Sequence, residues 1–334
     1  MNTTRRTAIA SALSTVALGF PSLARAQPQV LKVATNTPES DPLAVYLKEA
    51  IAAINAEAKG AVELRLFPNN QLGSNTDVLS QLRSGGVEFF PLSPLILQTI
   101  VPNAGISGVG YAWSGYDKLW PAMDGELGAY VRAEIAKVGI HTLETMWDNG
   151  FRHITSGDKP ILQPENLRGF KIRVPPSPLW TSLFQAFGAA PASINFAEVY
   201  TALQTKIVDG QENPLQLIYN AKLYEVQKHL SLTNHMWDGY WILANGRMWR
   251  GLPEDARKLI SKHMNASGLR QREAIAKANE SLVSSLTQNK LSIHKVDQMA
   301  FRRQLSSAGF YSEWSKRFGA EGWRILEKHA GALA

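Results

Sequence analysis

Strand-like and helix-like segments alternate regularly at the start of this 334-residue chain. Residues 30–35, 62–66 and 87–90 have the short apolar or alternating pattern of β-strands. Between them, residues 43–59 and 75–84 repeat apolar residues at helical spacing, and a glycine follows each helix. A β-α-β-α-β order requires right-handed crossovers and a largely parallel sheet covered by helices. The sequence therefore predicts an α/β fold.

The rest of the chain continues the alternation and is long enough for a second domain. Its middle part predicts one helix, three strands and a turn: residues 116–138, then residues 140–147, 151–155 and 170–174, and the pair Asn149-Gly150. Beyond Pro253 the chain has no proline, and residues 254–288 predict a long helix with a break at Gly268. A last strand is expected over residues 291–296.

Residues 1–26 contain the three parts of a secretory signal peptide in the right order. The pair Arg5-Arg6 is followed by an apolar run over residues 8–20 and by the small-residue cleavage pattern Ala24-Arg25-Ala26. We therefore expect export to the periplasm by the general or the twin-arginine route, with cleavage near Gln27. No later apolar stretch approaches the roughly 20 residues that a membrane-spanning helix needs.

Composition narrows the function further. The chain has no cysteine, so an exported protein of this sequence depends on its core and not on disulfides. Three positive charges of the formal net charge of +7 belong to the leader's arginines, and the other basic residues are interspersed with acidic ones. This pattern argues against a nucleic-acid partner, whereas a modest positive field would attract small anions.

A basic side chain at the end of a predicted strand is the strongest candidate for binding an anion. In residues 170–174, Lys171 and Arg173 share one face of the strand, which Pro175 ends. Ligands of open α/β sheets bind at this end of the strands, where a guanidinium can hold a carboxylate through two parallel hydrogen bonds. The alternative from the pattern alone is an ordinary solvated arginine.

Two more polar residues occupy comparable positions. Arg152 follows the predicted Asn149-Gly150 turn and opens a strand, so it is a second candidate for the same anion. Asn213 precedes Pro214, which holds it in an extended conformation from which its amide can face a ligand. The alternative for Asn213 is a loop residue that caps backbone groups. Asn195 and Glu198 have the spacing of a capping box at the start of a helix.

Several ordered strings resemble the core motifs of one family. They are Asn149-Gly150-Phe151-Arg152, residues 167–175 (LRGFKIRVP), residues 196–204 (FAEVYTALQ) and residues 208–214 (VDGQENP), with weaker echoes at residues 71–73, 224–228 and 252–255. Together they cover nearly all of the chain after the leader. The sequence is similar to the periplasmic substrate-binding subunits of tripartite ATP-independent periplasmic (TRAP) transporters, of the dicarboxylate- and sialic-acid-binding type.

This resemblance implies a two-lobed, Venus-flytrap fold with mixed, mostly parallel sheets and a long helix that spans the hinge. Residues 27–150 with about 239–278 would form the first lobe, and residues 151–238 with about 279–334 the second. The ligand would be a small organic acid, and the partner would be the membrane permease subunits of the transporter.

The resemblance also implies roles for individual residues. Arg173 matches the family's principal carboxylate-binding arginine, Arg152 a second arginine of the cleft, and Asn213 an asparagine that orients the carboxylate. Other positions that match the ligand site are Asn36, Phe196, His235, Trp237 and Asp238.

Departures from the family pattern bear on the choice of ligand. Ser93 stands where sialic-acid binders carry a glutamate, and Pro176 where they have an asparagine, so a bulky sialic acid is not expected. Trp147 and Trp237 suggest apolar walls, whereas Asp238 can accept hydrogen bonds from hydroxyl groups. Aromatic, keto or hydroxy monocarboxylates and sugar acids all remain open at this point.

The sequence favours no enzyme. Its seven histidines lack metal-ligand spacing, and no nucleophile elbow or phosphate-binding loop is present, so we expect no catalytic residue, metal or cofactor. The alternatives are an exported enzyme that acts on a small carboxylate and a sensory module that presents its ligand to a receptor.

Overall fold

The computed structural model describes residues 29–333, so the predicted leader lies outside the described residues. Eleven strands are present in this range: β1 Gln29–Ala34, β2 Val62–Phe67, β3 Phe89–Leu92, β4 Ile140–Thr142, β5 Trp147–Ser156, β6 Lys171–Val174, β7 Ala190–Ser193, β8 Gly210–Pro214, β9 His229–Leu232, β10 Trp237–Asn245 and β11 Ser292–Lys295. Twelve α-helices accompany them: α1 Pro42–Ala58, α2 Asn75–Ser84, α3 Pro94–Leu97, α4 Tyr116–Met123, α5 Glu126–Ala136, α6 Pro178–Ala186, α7 Val199–Gln204, α8 Leu215–Asn220, α9 Gly246–Gly251, α10 Glu254–Gln288, α11 Gln298–Ser307 and α12 Phe310–Ala330.

The strands form one mixed sheet, in the order β2-β1-β3-β10-β5-β8-β6-β7 along its main path. Strand β1 pairs in parallel with β2 and β3, which confirms the parallel β-α-β-α-β unit expected from the sequence. Strand β10 runs antiparallel to β3 on one side and to β5 on the other. The two long strands β5 and β10 therefore connect two halves of the sheet.

Two smaller apolar cores lie one on each half of the sheet, and a larger core includes residues of β3 and of β6 and therefore of both halves. Leu47 of α1 and Leu64 of β2 belong to a core that also includes Ile260 and Met264 of α10. Further along the same helix, Leu286 belongs to a second core around β8 and β9. Helix α10 thus reaches from one half of the molecule to the other, as expected for a helix that spans the hinge.

Helix α10 is continuous, so the predicted break at Gly268 is wrong. A Cβ atom at this position would lie only 2.5 Å from Nε1 of Trp147, and glycine allows this close approach without leaving the helix. The predicted helix over residues 116–138 is instead two helices. They separate at Asp124-Gly125, where the ψ of Gly125 is −136° and therefore not helical.

The predicted turn at Asn149-Gly150 is also wrong, because both residues lie inside β5. Gly150 adopts a φ of +112°, a conformation that glycine takes without strain because it has no Cβ atom. Opposite this point, the β5–β10 register shifts between Asp238 and Gly239, as in a β-bulge. Bulges bend a strand and redirect its side chains, so the distortion lies where the two halves meet.

The C-terminal helix lies across both halves. Helix α12, kinked at Gly319, contacts α4 and α5 as well as α6 and α11. The exact division of the chain into lobes therefore stays a prediction, and these contacts favour assigning α12 partly to the first lobe. None of the described helices is both long and apolar enough to cross a membrane.

Candidate functional site

A cavity lies between the two halves of the sheet. The space open to the centre of a water molecule is about 50 Å³, which is room for roughly three to five waters. Its lining comes from both halves and consists of Thr35, Asn36, Thr37, Asn75, Pro91, Leu92, Ser93, Ile96, Asn149, Arg152, Arg173, Pro175, Trp180, Phe196, Asn213, Leu217, Asp238 and Tyr240. This composition, apolar walls with a few polar groups, is typical of small-molecule sites.

The structure brings together seven of the ten predicted ligand-binding residues in this lining: Asn36, Ser93, Arg152, Arg173, Phe196, Asn213 and Asp238. The other three do not line the cavity. His235 is fully buried behind Glu212, to which it is hydrogen-bonded. Trp237 donates from Nε1 to Asp148, and Trp147 contacts helix α10.

Arg152 is surrounded by acceptors. Its Nε and Nη2 atoms donate to the two carboxylate oxygens of Glu212 at 2.5 and 2.9 Å, a bidentate pair. Nη2 also donates to Oδ1 of Asn213 at 2.8 Å, and Nη1 lies 3.5 Å from Oδ2 of Asp238. The guanidinium lies over the ring of Trp180, 4.8 Å from its centroid. The partners of Arg152 therefore occupy most of its hydrogen-bonding capacity.

The electrostatics of this group agree with its geometry. Burial works to lower the pKa of Arg152, but the charges of Glu212 and Asp238 outweigh it and raise the pKa. Burial likewise works to raise the pKa of Glu212, and Arg152 and His235 together hold it below its usual value. Burial lowers the pKa of His235, so we infer that its ring is neutral and donates to Glu212 from Nε2. The Arg152–Glu212 pair is thus an internally neutralised unit.

Arg173 has the same burial and a different environment. Only 1% of it is exposed, and its Nε donates to the carbonyl oxygen of Ile194 at 2.8 Å. Its Nη1 atom is buried and has no hydrogen-bond partner, and none of the described carboxylate side chains forms an ion pair with Arg173. Burial lowers the pKa of Arg173 to about 9; the charge of Glu212 opposes this shift, and the charge of Arg152 adds to it. The side chain remains a cation at neutral pH, and a bound anion would compensate for its lost hydration.

The local sequence explains why Arg173 lies in the cavity. Strand β6 pairs with β7 and β8, and Ile172 and Val174 are buried in the core. Arg173 alternates with them and lies at the carboxyl end of the strand, which Pro175 terminates at the cavity wall. The position predicted from the strand pattern is therefore the one observed.

Asp238 forms a second polar group in the cavity. Ser93 donates to its Oδ1 at 2.7 Å and Asn149 to its Oδ2 at 2.9 Å. Burial raises the pKa of Asp238 to about 6, against the opposing effects of Arg152, Ser93 and Asn149. The Asp238/Gly239 irregularity of β10 places this carboxylate at the junction of the two halves.

Comparison with known proteins assigns the chain to a family. Residues 33–312 match the model of bacterial extracellular solute-binding proteins, family 7. The chain belongs to this family. Its members are solute-binding proteins of TRAP transporters and not enzymes, as the sequence motifs indicated.

Individual relatives are similar over almost their whole length. The C4-dicarboxylate-binding periplasmic protein DctP of Rhodobacter capsulatus is 32% identical over 322 residues, which are 93% of each chain. A TRAP periplasmic solute-binding protein of Sulfurospirillum deleyianum, solved with bound succinate, is 28% identical with a TM-score of 0.85, covering 92% of this chain and 99% of that one. A Polaromonas protein solved with D-erythronate is 26% identical, with the same TM-score and the same coverage. The two-lobed fold of the family is thus shown for this chain.

Contacts across the cleft hold the two halves of this solute-binding protein together. Asn195 donates to Oγ1 of Thr76 at 3.2 Å, and Asn220 donates to Oδ2 of Asp41 at 3.3 Å. Asn195 precedes a short 3₁₀ helix but makes no capping hydrogen bond, so the predicted capping box is wrong. Its side chain faces the other half of the molecule instead.

Sequence reasoning missed three residues that shape the site. Glu212 lies in a motif already recognised, directly before Asn213, and a charged residue in that buried strand should have signalled a partner. Tyr240 lines the cavity two residues after Asp238, the spacing of side chains on one face of a strand. Trp180 carries no such signal, since its contact with Arg152 arises only in the folded chain. Within residues 29–333 no cluster of three or more metal-ligating side chains is found.

Proposed function

We propose that this solute-binding protein captures a small organic-acid anion in the cavity and delivers it to the membrane subunits of a TRAP transporter. The ligand's carboxylate binds Arg173, and Asn213 helps to orient it. Arg152, which the sequence suggested as a second direct ligand, serves mainly to hold Asn213 and Glu212 in place. Export through the predicted leader, with cleavage near Gln27, would bring the protein to the periplasm.

One observation carries this proposal: Arg173 is a buried cation that lines the cavity and lacks an ion-pair partner within the described residues. An isolated buried charge is costly unless it is paired, so the site is incomplete without an anion. The acids named for similar proteins, succinate and D-erythronate, each carry a carboxylate that a guanidinium can bind. The small open volume is consistent with small acids of this kind.

Ligand capture would close the two lobes. The strands β5 and β10 and helix α10 are the crossing segments, and the Asn195–Thr76 and Asn220–Asp41 contacts lie across the cleft. Closure would remove water from the ion pair and present one surface formed by both lobes to the membrane subunits. The lobe boundaries expected from the sequence, near residues 150, 238 and 278, fall on or near these segments.

Thermal unfolding of refolded, ligand-free protein against a panel of carboxylic acids tests the proposal. The panel contains dicarboxylates, hydroxy and keto acids, aromatic acids and sugar acids, with the corresponding neutral sugars as controls. A ligand at about 100 times its Kd should add roughly 2.7 kcal/mol of stability, and chromatography should recover it unchanged. Stabilisation by neutral sugars alone, or by no compound with a carboxylate, would refute carboxylate capture, and consumption of the acid would point to an enzyme.

A further inference from the structure

We propose that Asp238 makes this site selective for hydroxylated monocarboxylates and excludes dicarboxylates of the same carbon skeleton. The inference rests on the proposed capture of a carboxylate by Arg173. It adds a role for the far end of the cavity, which recognises hydroxyl groups through acceptors and repels a second negative charge.

The first argument is the balance of charge. Two cations line the cavity, Arg152 and Arg173, and the buried carboxylates beside them are Glu212 and Asp238. Arg152 is paired with Glu212 and lies near Asp238, so only Arg173 is free for an anion. A monocarboxylate satisfies that one cation. A dicarboxylate would bring a second charge for which the described lining offers no further cation.

The position of Asp238 places this repulsion at the opposite end of the ligand. Asp238 lies on β10 and Arg173 on β6, and the strands β5 and β8 separate them. With a spacing of about 4.8 Å between neighbouring strands, the two backbones are roughly 14 Å apart. An acid bound to Arg173 through one end can therefore extend its other end towards β10.

The second argument is that two amide oxygens of the lining have no donor, although the lining also contains an unpaired donor, Nε1 of Trp180. Asn36 and Asn149 each donate through their Nδ2 atoms to other protein groups, which fixes the orientation of both amides. Their Oδ1 atoms are buried and accept no hydrogen bond. Asp238 accepts from Ser93 and Asn149, and a carboxylate has capacity for about four donors.

These acceptors require a ligand that donates hydrogen bonds. The hydroxyl groups of a sugar acid are donors, whereas an ionised carboxylate can only accept. Succinate offers this end of the cavity no donor at all, and any dicarboxylate would place its second carboxylate towards Asp238. Like charges brought together in a desolvated site cost several kcal/mol.

Matched pairs of ligands test the inference on the wild-type protein. D-Erythronate and meso-tartrate share one carbon skeleton, as do D-galactonate and galactarate, and each pair differs only in whether the last carbon is a primary alcohol or a carboxylate. Isothermal titration should show the monoacid of at least one pair binding about a hundredfold or more tightly than its diacid. Equal or tighter binding of the diacids would overturn the inference, and so would a preference for acids without hydroxyl groups.

The substitution Asp238→Asn tests whether this residue causes the selectivity. It removes the charge and supplies an amide donor, so the monoacid-to-diacid affinity ratio should fall by about tenfold or more. Asp148→Asn is the matched control, because Asp148 is equally buried on the neighbouring strand but does not line the cavity. A ratio unchanged by Asp238→Asn, or changed equally by both variants, would contradict the role of Asp238.

The ligand pairs on the wild-type protein keep the test decisive if Asp238→Asn does not fold. The two levels of the proposal also fail differently. If the wild-type protein binds no carboxylate, carboxylate capture itself is wrong. If it binds diacids as well as monoacids, capture by Arg173 stands and only the selectivity is wrong.

Discussion

Arg152 and Arg173 are the same residue type with the same burial in one cavity, yet their surroundings differ completely. Arg152 is paired with Glu212 and also contacts Asn213 and the ring of Trp180. Arg173 has one backbone acceptor and a buried Nη1 without any partner. The surrounding charges raise the pKa of Arg152, whereas burial lowers that of Arg173 to about 9. A site can therefore contain one arginine that maintains the structure and one that awaits a ligand.

The largest expected effect is a difference in stability between variants of Arg152 and variants of Arg173. Arg152→Met leaves the buried Glu212 carboxylate unpaired, so we expect a loss of about 3–5 kcal/mol in the free energy of unfolding. Arg173→Met removes a desolvated cation that has no carboxylate partner, and stability should change by less than about 1 kcal/mol or increase. Urea unfolding of the ligand-free proteins measures both values, and similar losses in the two variants would remove the distinction.

The next effect is a loss of ligand affinity on substitution of Arg173. Arg173→Ala should weaken binding of the preferred acid by about 2–5 kcal/mol, because a desolvated charge-assisted pair is lost. The fold should persist, which circular dichroism can verify. Isothermal titration at constant pH measures the change, with Lys171→Ala as a control on the same strand, since Lys171 is exposed and does not line the cavity. Wild-type affinity in Arg173→Ala would show that the ligand binds elsewhere.

A third effect concerns the two carboxylates beside Arg152, which should affect stability oppositely as pH changes. The pKa of Asp238 is raised from 3.8 to about 6. Protonated Asp238 therefore stabilises the folded protein below about pH 3.8, and this stabilisation is lost as pH rises through 6. The pKa of Glu212 is lowered from 4.5, so its contribution is present above pH 4.5 and is lost as pH falls below that value.

Urea unfolding between pH 3 and pH 8 detects this difference. Relative to wild type, Asp238→Asn should gain roughly 1–3 kcal/mol between pH 4 and pH 7. The loss of unfolding free energy caused by Glu212→Gln should become smaller as pH falls below 4.5. If the difference in unfolding free energy from wild type changed with pH in the same direction for both variants, the two carboxylates would share one environment.

The smallest effect concerns the rim of the cleft. Asn195→Ala removes the hydrogen bond from the half-buried Asn195 to the exposed Thr76, which is worth about 0.5–1.5 kcal/mol at most. Ligand affinity should fall only a few-fold, far less than in Arg173→Ala, as measured by the same titration. A loss as large as that of Arg173→Ala would place the main binding energy in closure and not in the ion pair.

Local sequence patterns predicted those features that depend on neighbouring residues. The β-α-β-α-β unit, the end of α1 near residue 59 and the position of Arg173 before Pro175 all follow from spacing, capping and proline. The resemblance to the family added the family itself and seven of the residues that line the cavity. These features were predictable because their causes lie within a few residues of each other.

The state of Arg152 could not be predicted in this way. Its partner Glu212 is 60 residues away, and the two meet only because β5 pairs with β8. The same holds for Asn149-Gly150, whose turn-like composition instead accommodates a distorted crossing of β5 and β10. Whether a buried arginine is satisfied or free depends on such long-range pairing, which a single sequence does not specify.

A double-mutant cycle between ligand and protein tests the central claim, that the ligand's carboxylate binds Arg173. The preferred acid and its uncharged carboxamide are titrated against wild type and Arg173→Ala. If carboxylate and guanidinium are in contact, the two changes are not additive, and the coupling energy should be about 2 kcal/mol or more. Additive changes, with a coupling energy near zero, would contradict the assignment of Arg173 as the residue that binds the carboxylate.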